Sequence, residues 1–223
     1  MAPKAMTRQQ SAYEGLRRDI LNGRLVPGEK LPFVGLASTY QVSIGSLREA
    51  LSRLSAEGLV EWRPQQGFSV RPTSRDDLMD LTEARCLIEG LAVRSAIEHG
   101  DVAWESQLIA AHHRMANVPM FLEDDPARMN EGWASAHKEF HATVTGACTN
   151  KRIRSFAERL WDSNERYHRR SVAPNVVSTR DIAAEHRSIL DAVLARDAEL
   201  AVALLRDHAT RTTELLLAEG LAE

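Results

Sequence analysis

Ser43-Ile44-Gly45-Ser46-Leu47-Arg48-Glu49-Ala50-Leu51-Ser52-Arg53-Leu54-Ser55-Ala56-Glu57-Gly58-Leu59-Val60-Glu61-Trp62 is the stretch that decides the architecture of the first third of this chain. Leu47, Ala50, Leu51 and Leu54 recur at helical spacing, so a helix opening near Ser43 turns one face inward until Glu57-Gly58 stops it. Leu59-Val60-Glu61-Trp62 then reads as a strand, Phe68-Ser69-Val70 as its partner, and Arg63–Gly67 as the hairpin between them.

Working outward, Gln41-Val42-Ser43 is a tight connection back to a short helix, roughly Val34–Tyr40. Val26-Pro27-Gly28 is a turn, and Tyr13, Leu16, Ile20 and Leu21 mark a first helix that Asn22-Gly23 ends. Three helices followed by a two-stranded hairpin make a winged helix-turn-helix, placed at residues 1–72.

Arg71-Pro72-Thr73-Ser74 reads as a linker, with Ser74 and Asp77 set to cap the next helix. Residues 73–223 show helical periodicity throughout, in segments of about 75–99, 101–118, 126–148, 151–170, 179–196 and 198–219. The breaks fall at Gly100-Asp101, Val118-Pro119, Thr149-Asn150, Ala173-Pro174 and Arg196-Asp197. The expected fold is mainly α, a winged head followed by an antiparallel bundle of six to seven helices.

Composition narrows the class. Hydrophobic residues are 43% and charged residues 26% of 223, the balance of a globular chain long enough to bury a core. No apolar run approaches the length of a membrane span, and the first residues lack the apolar centre of a secretion signal, so a cytoplasmic protein is expected. Two cysteines, Cys86 and Cys148, exclude a disulfide scaffold or a cysteine-rich zinc site. Residues 1–72 carry 10 Lys/Arg against 6 Asp/Glu, whereas residues 73–223 carry 18 against 25. A basic head on an acidic body suits a protein whose head alone meets a polyanion.

Four of the eight histidines fall on faces expected to be buried. Trp133, His137, His141, Val144 and Cys148 share one; Ile182, His186, Ile189 and Val193 a second; Leu200, Leu204, His208 and Leu215 a third. Singly, each is explained by a core histidine bonded to a neighbour. Four together would need four buried partners, whereas one divalent ion satisfies all of them. His137 and His141, at i and i+4, project from the same side of one helix.

The head closely resembles the N-terminal domain of GntR-family regulators. The resemblance rests on Gly23-Arg24-Leu25-Val26-Pro27-Gly28-Glu29-Lys30-Leu31-Pro32, Leu36-Ala37, Val42-Ser43, Leu47-Arg48-Glu49-Ala50-Leu51 and Glu57-Gly58-Leu59-Val60. The helical remainder resembles the FCD-type ligand-binding domain of the FadR subgroup. DNA contact is then expected from Ser43, Ser46 and Arg48 in the first turns of the recognition helix, and from Gln66 and Gly67 at the wing tip. For Arg48 the alternative is a surface ion pair with a neighbouring carboxylate. Relatives often carry arginine where this chain has Val34 and Ile44, and proline where it has Ser46, so weaker or differently specified operator binding is expected.

The resemblance also implies a ligand set. Metal-binding FCD domains place an acidic residue four before the histidine of a Phe-His pair, here Phe140-His141; they add the histidine of a Glu-His pair, here Glu185-His186, and one on the last helix, here His208. This chain has His137 at the acidic position. An all-imidazole set of His137, His141, His186 and His208 suits a transition ion, zinc first and nickel second. Arg85 occupies a position that often faces the cavity in such domains, where its guanidinium would clamp a small carboxylate effector; the alternative is a pair with Glu89. Asn164, on the fourth helix of the body, is expected to add a polar contact to the effector. His99, His112-His113 and Tyr167-His168-Arg169-Arg170 are set aside as helix-end or surface groups, and Trp104, Trp133 and Trp161 as packing.

The expected activity is ligand-responsive DNA binding, probing a palindromic operator as a homodimer, with repression the commoner arrangement among relatives. A metal-dependent hydrolase is the rival class. His137-Lys138-Glu139-Phe140-His141 is not HExxH, however, and Glu139 should point away from both rings, which leaves no general base. A purely structural metal is the second alternative.

Overall fold

The computed structural model describes residues 8–125, 128–171, 180–218 and 220. Two compact units, Met1–Ser74 and Arg75–Glu223, divide the chain.

In the first unit, α1 (Arg8–Leu21), α2 (Phe33–Thr39) and α3 (Ile44–Ala56) precede β1 (Val60–Arg63) and β2 (Gly67–Val70). Leu16, Leu47, Leu51, Leu54 and Leu59 are fully buried at its centre, as their spacing requires. Ser43 caps α3, its Oγ accepting from the Ser46 amide at 3.2 Å. The strands are antiparallel with Val60 opposite Val70 and Arg63 opposite Gly67, and Lys30 bridges Ser69 on the outer side of β2. The tight wing turn uses positive φ at Gln65 (63°) and Gly67 (79°), the latter a conformation glycine adopts without strain.

The second unit contains α4 (Arg75–His99), α5 (Val102–Ala116), α6 (Glu131–Val144), α7 (Lys151–Ser171), α8 (Ile182–Leu194) and α9 (Ala198–Ala218). The long α4 packs on α7 and α9, and α5 on α6 and α8. A core of Val93, Leu108, Phe140, Val144, Ile189, Val193 and Ala201 joins five of these helices. Gly100 separates α4 from α5 at a place where a Cβ would lie 2.0 Å from the Trp104 ring. Trp104 in turn donates its indole N–H to the Thr143 carbonyl at 2.7 Å, stitching α5 to α6.

Two expectations for this unit are corrected. Helix α6 begins at Glu131 rather than near 126, because Asn130 caps it and Met129 pairs with Phe121 instead of joining the helix. The break at Ala173-Pro174 lies outside the described residues. On α9 the inward face is Ala201, Val202, Leu205, His208, Ala209, Thr212 and Leu216, whereas Leu200 is 47% exposed and Leu204 and Leu215 are only half-buried. The expected stripe was rotated by about one residue. No helix among the described residues is long and apolar enough to cross a membrane.

Candidate metal centre and DNA-binding surface

His137 and His141 stand one turn apart on the inner face of α6, His186 in the first half of α8, and His208 at the middle of α9. All four are buried, and one nitrogen of each lies within 4.8 Å of one nitrogen of every other. His186 Nε2 is 3.0 Å from His137 Nε2 and 3.2 Å from His141 Nε2.

Hydrogen bonding alone does not satisfy this arrangement. A protonated Nε2 on His186 offers one hydrogen to two acceptors, and a bare one offers one lone pair to two donors. A tetrahedral shell of imidazoles with metal–nitrogen bonds of about 2.0–2.1 Å sets its nitrogens about 3.3 Å apart, close to both separations. Protonation agrees. Burial pushes His137, His141 and His186 well below the ordinary imidazole range, and the surrounding imidazoles add to the shift. Burial also lowers His208. Neutral rings keep the lone pairs that a cation needs. The residues present therefore fit a divalent transition ion.

The support around His208 escaped sequence reading. Its Nδ1 lies 2.8 Å from Glu185 Oε2, an acceptor, and 3.1 Å from Arg180 Nη2, a donor, so the Nδ1 edge of the ring is engaged by this pair and Nε2 is left for the cluster. Arg180 grips the same carboxylate through Nε and Nη2, and donates further to the Thr212 hydroxyl and the His208 carbonyl. Burial raises the Glu185 pKa, but hydrogen bonds from His208 and Arg180 outweigh it and hold the carboxyl well below the usual range. The Glu185-His186 pair was noticed only for its histidine, and nothing in the local pattern singled out Arg180.

Arg85 is buried on α4 with its Nε donating to Glu89 at 2.8 Å, so the pair with Glu89 is formed. Its guanidinium also lies over the Trp161 ring, 4.8 Å from the centroid, and its charge depresses both His141 and His208. No described residue accepts from its two Nη groups. A cavity of about 280 Å³ is lined by its partners Glu89 and Trp161 together with Lys138, His141, Thr145 and Asp162, while Arg85 itself stands behind that lining. Trp161, set aside as packing, stacks on His141 at 4.5 Å and forms a wall of that cavity. Asn164 is buried and lines a much smaller cleft with His137 and His168, which shares Lys138 and Trp161 with the larger cavity.

The surface reading of Tyr167-His168 is also corrected. Tyr167 is fully buried, its hydroxyl donating to Asp77 at 2.8 Å, and Arg166 pairs with the same carboxylate. His168 stacks on His137 with ring centroids 4.5 Å apart, because α7 turns this face toward α6. Glu139 meets Arg114 on the exposed side of α6, at 2.6 Å, and so faces away from the imidazoles.

In the first unit, Arg48 is exposed, without an ion pair among the described residues, and its guanidinium lies over the Phe33 ring. The Ser43 hydroxyl is taken up by the cap and by the Ser46 hydroxyl, 3.0 Å away. Gln66 is exposed at the wing tip beside Gly67, where nothing stands within 4 Å of an added Cβ. Val34 and Ile44 are 78% and 48% exposed.

Comparison with known proteins bears on both units. Residues 8–70 match the model of bacterial regulatory proteins of the gntR family, and residues 80–211 match that of the FCD domain. The uncharacterized HTH-type transcriptional regulator BphR of Paraburkholderia xenovorans (strain LB400) is 36% identical over 95% of this chain and 86% of its own length. The HTH-type transcriptional repressor GlaR of Escherichia coli (strain K12) is 35% identical over 88% of this chain and 90% of its own. Among solved structures, E. coli McbR/YncC superposes with a TM-score of 0.73 over 96% of this chain and 99% of that one, at 19% identity, a likeness of fold.

Proposed function

This chain belongs to the gntR family of bacterial regulatory proteins and carries the FCD domain, which makes it a DNA-binding transcriptional regulator, and from that premise we propose that a small organic acid controls its DNA binding through a metal centre in the helical unit. The observation that carries this reading is the convergence of His137, His141, His186 and His208 from three helices next to a cavity. The four imidazoles would hold a divalent transition ion, zinc first and nickel second. When bound, such an ion supplies a Lewis-acid anchor for one end of a carboxylate.

The chain's own residues do the rest. Arg85, held by Glu89 and Trp161, keeps its two outer nitrogens for an anion beside His141. Lys138 on the cavity wall is a second cation, tied to Asp162. Asn164 contributes from the His137 side. Two copies would associate and set their α3 helices and wings on a palindromic operator, with Arg48, Ser43, Ser46, Gln66 and Gly67 at the DNA. Effector binding then shifts the balance between two dimer poses, which requires only different affinities for them. Repression relieved by ligand is the arrangement we favour, in line with the named repressor among its relatives.

The test uses the full chain purified without nickel resin. Metal content is measured, and operator affinity is then followed by mobility shift against a panel of small carboxylates, in metal-loaded, chelated and His141→Ala protein. At least one acid should change affinity in the metal-loaded protein alone. Absence of stoichiometric metal in the parent ends the reading. Equal responses with and without metal would reduce the ion to a structural clamp.

A further inference from the structure

The groups that the first turns of α3 offer to DNA are unusual in kind. Ser43 spends its oxygen on the helix cap, and Ser46 shares that bond. Arg53 is drawn back over the Tyr13 ring, with Glu57 at 3.5 Å and Gln10 at 3.2 Å. Besides the Ser43 and Ser46 hydroxyls, the first two turns present Ile44, Gly45, Arg48 and Glu49 outward. Ile44 is the first residue of the helix, 48% exposed and outside the core of its unit. At Gly45 an added Cβ would have only the Ser43 hydroxyl within 4 Å, at 3.8 Å, so its bare Cα leaves room for a close approach.

An apolar, β-branched side chain at the tip of a recognition helix cannot read the donors and acceptors of a base edge. It can recognise the one apolar feature of the major groove, the C5-methyl group of thymine. We propose that Ile44 is a specificity-determining residue that packs on a thymine methyl in each half of the operator, with Gly45 permitting the approach and Arg48 anchoring the phosphates. The inference is independent of the metal centre and rests on the DNA-binding character of the family.

The experiment starts from an operator enriched by the full chain from randomised duplexes. Each thymine is then replaced in turn by uracil, which removes the methyl and nothing else. Burying one methyl is worth about a fourfold change in affinity. One symmetric thymine pair should show that loss per site with the parent protein, and none with Ile44→Ala, whose thermal midpoint should match the parent because the position is exposed. The proposal is overturned if no thymine is sensitive, or if the sensitivity survives in Ile44→Ala.

Discussion

His208 Nδ1 lies 2.8 Å from Glu185 Oε2, and Arg180 holds the same carboxylate in a two-point grip. This contact, with Arg180 Nη2 3.1 Å from the same nitrogen, anchors the Nδ1 edge of the ring beside the cluster of His137, His141 and His186. The carboxylate is provided by α8 and the ring by α9, so the contact also locks the two helices in register.

Glu185→Gln should therefore weaken metal binding without dismantling the fold. Glutamine keeps an acceptor but loses the charge that polarises the imidazole. A loss of roughly 10–100-fold in affinity is the usual consequence of removing such a partner. Competition titration with a zinc chelator measures it, and unchanged affinity would assign the contact to packing alone.

Metal-free protein should lose stability as it is acidified. His137, His141, His186 and His208 all have pKa values lowered by burial, so the unfolded chain binds more protons than the folded one in the window below about 6.5. Their contribution is complete above that value and falls away as the pH drops toward their lowered folded values. Thermal midpoints of chelated protein between pH 7.5 and 5 should decline, and His137→Gln should flatten the profile. A profile already flat in the parent contradicts the burial of neutral rings.

Gly100→Ala should destabilise the helical unit by about 1–3 kcal/mol. The new methyl would collide with the buried Trp104 ring and with the Ala96 carbonyl at 2.6 Å, and a fixed indole bonded to Thr143 has little room to move. Denaturant titration with tryptophan fluorescence reports both the midpoint and the displaced ring.

Arg48→Ala should leave folding intact while weakening DNA binding across sequences. The side chain has no ion pair among the described residues, and its guanidinium lies over the Phe33 ring. Removing one phosphate contact lowers the slope of log affinity against log salt by about one. Mobility shifts at several salt concentrations decide it; an unaltered slope would move Arg48 away from the backbone.

Much of the fold was readable because it is written in local periods. The spacing of Leu47, Leu51 and Leu54, followed by the alternation around Val60 and Val70, needs only near neighbours to specify a helix and a hairpin. The same holds for His137 and His141, whose separation by four residues puts them together on any helix. Where α6 begins was less visible, since Asn130 as a cap competes with a helical pattern that continues upstream. The rotation of the α9 stripe has a similar origin: Leu200, Leu204 and Leu215 lie toward the edge of that helix, while Ala201, Leu205, Ala209, Thr212 and Leu216 share the inward face with His208.

What the sequence determined alone is the order of the elements and the inward placement of four imidazoles, because periodicity is a property of each segment. Partnership was decided only in three dimensions. That Asp77 receives Tyr167 and Arg166, that His168 stacks on His137, and that Arg180 reaches Glu185 to orient His208 all depend on how separate helices meet. A buried polar group must find its complement wherever packing brings one, and helix packing is a relation between distant segments that no single period encodes.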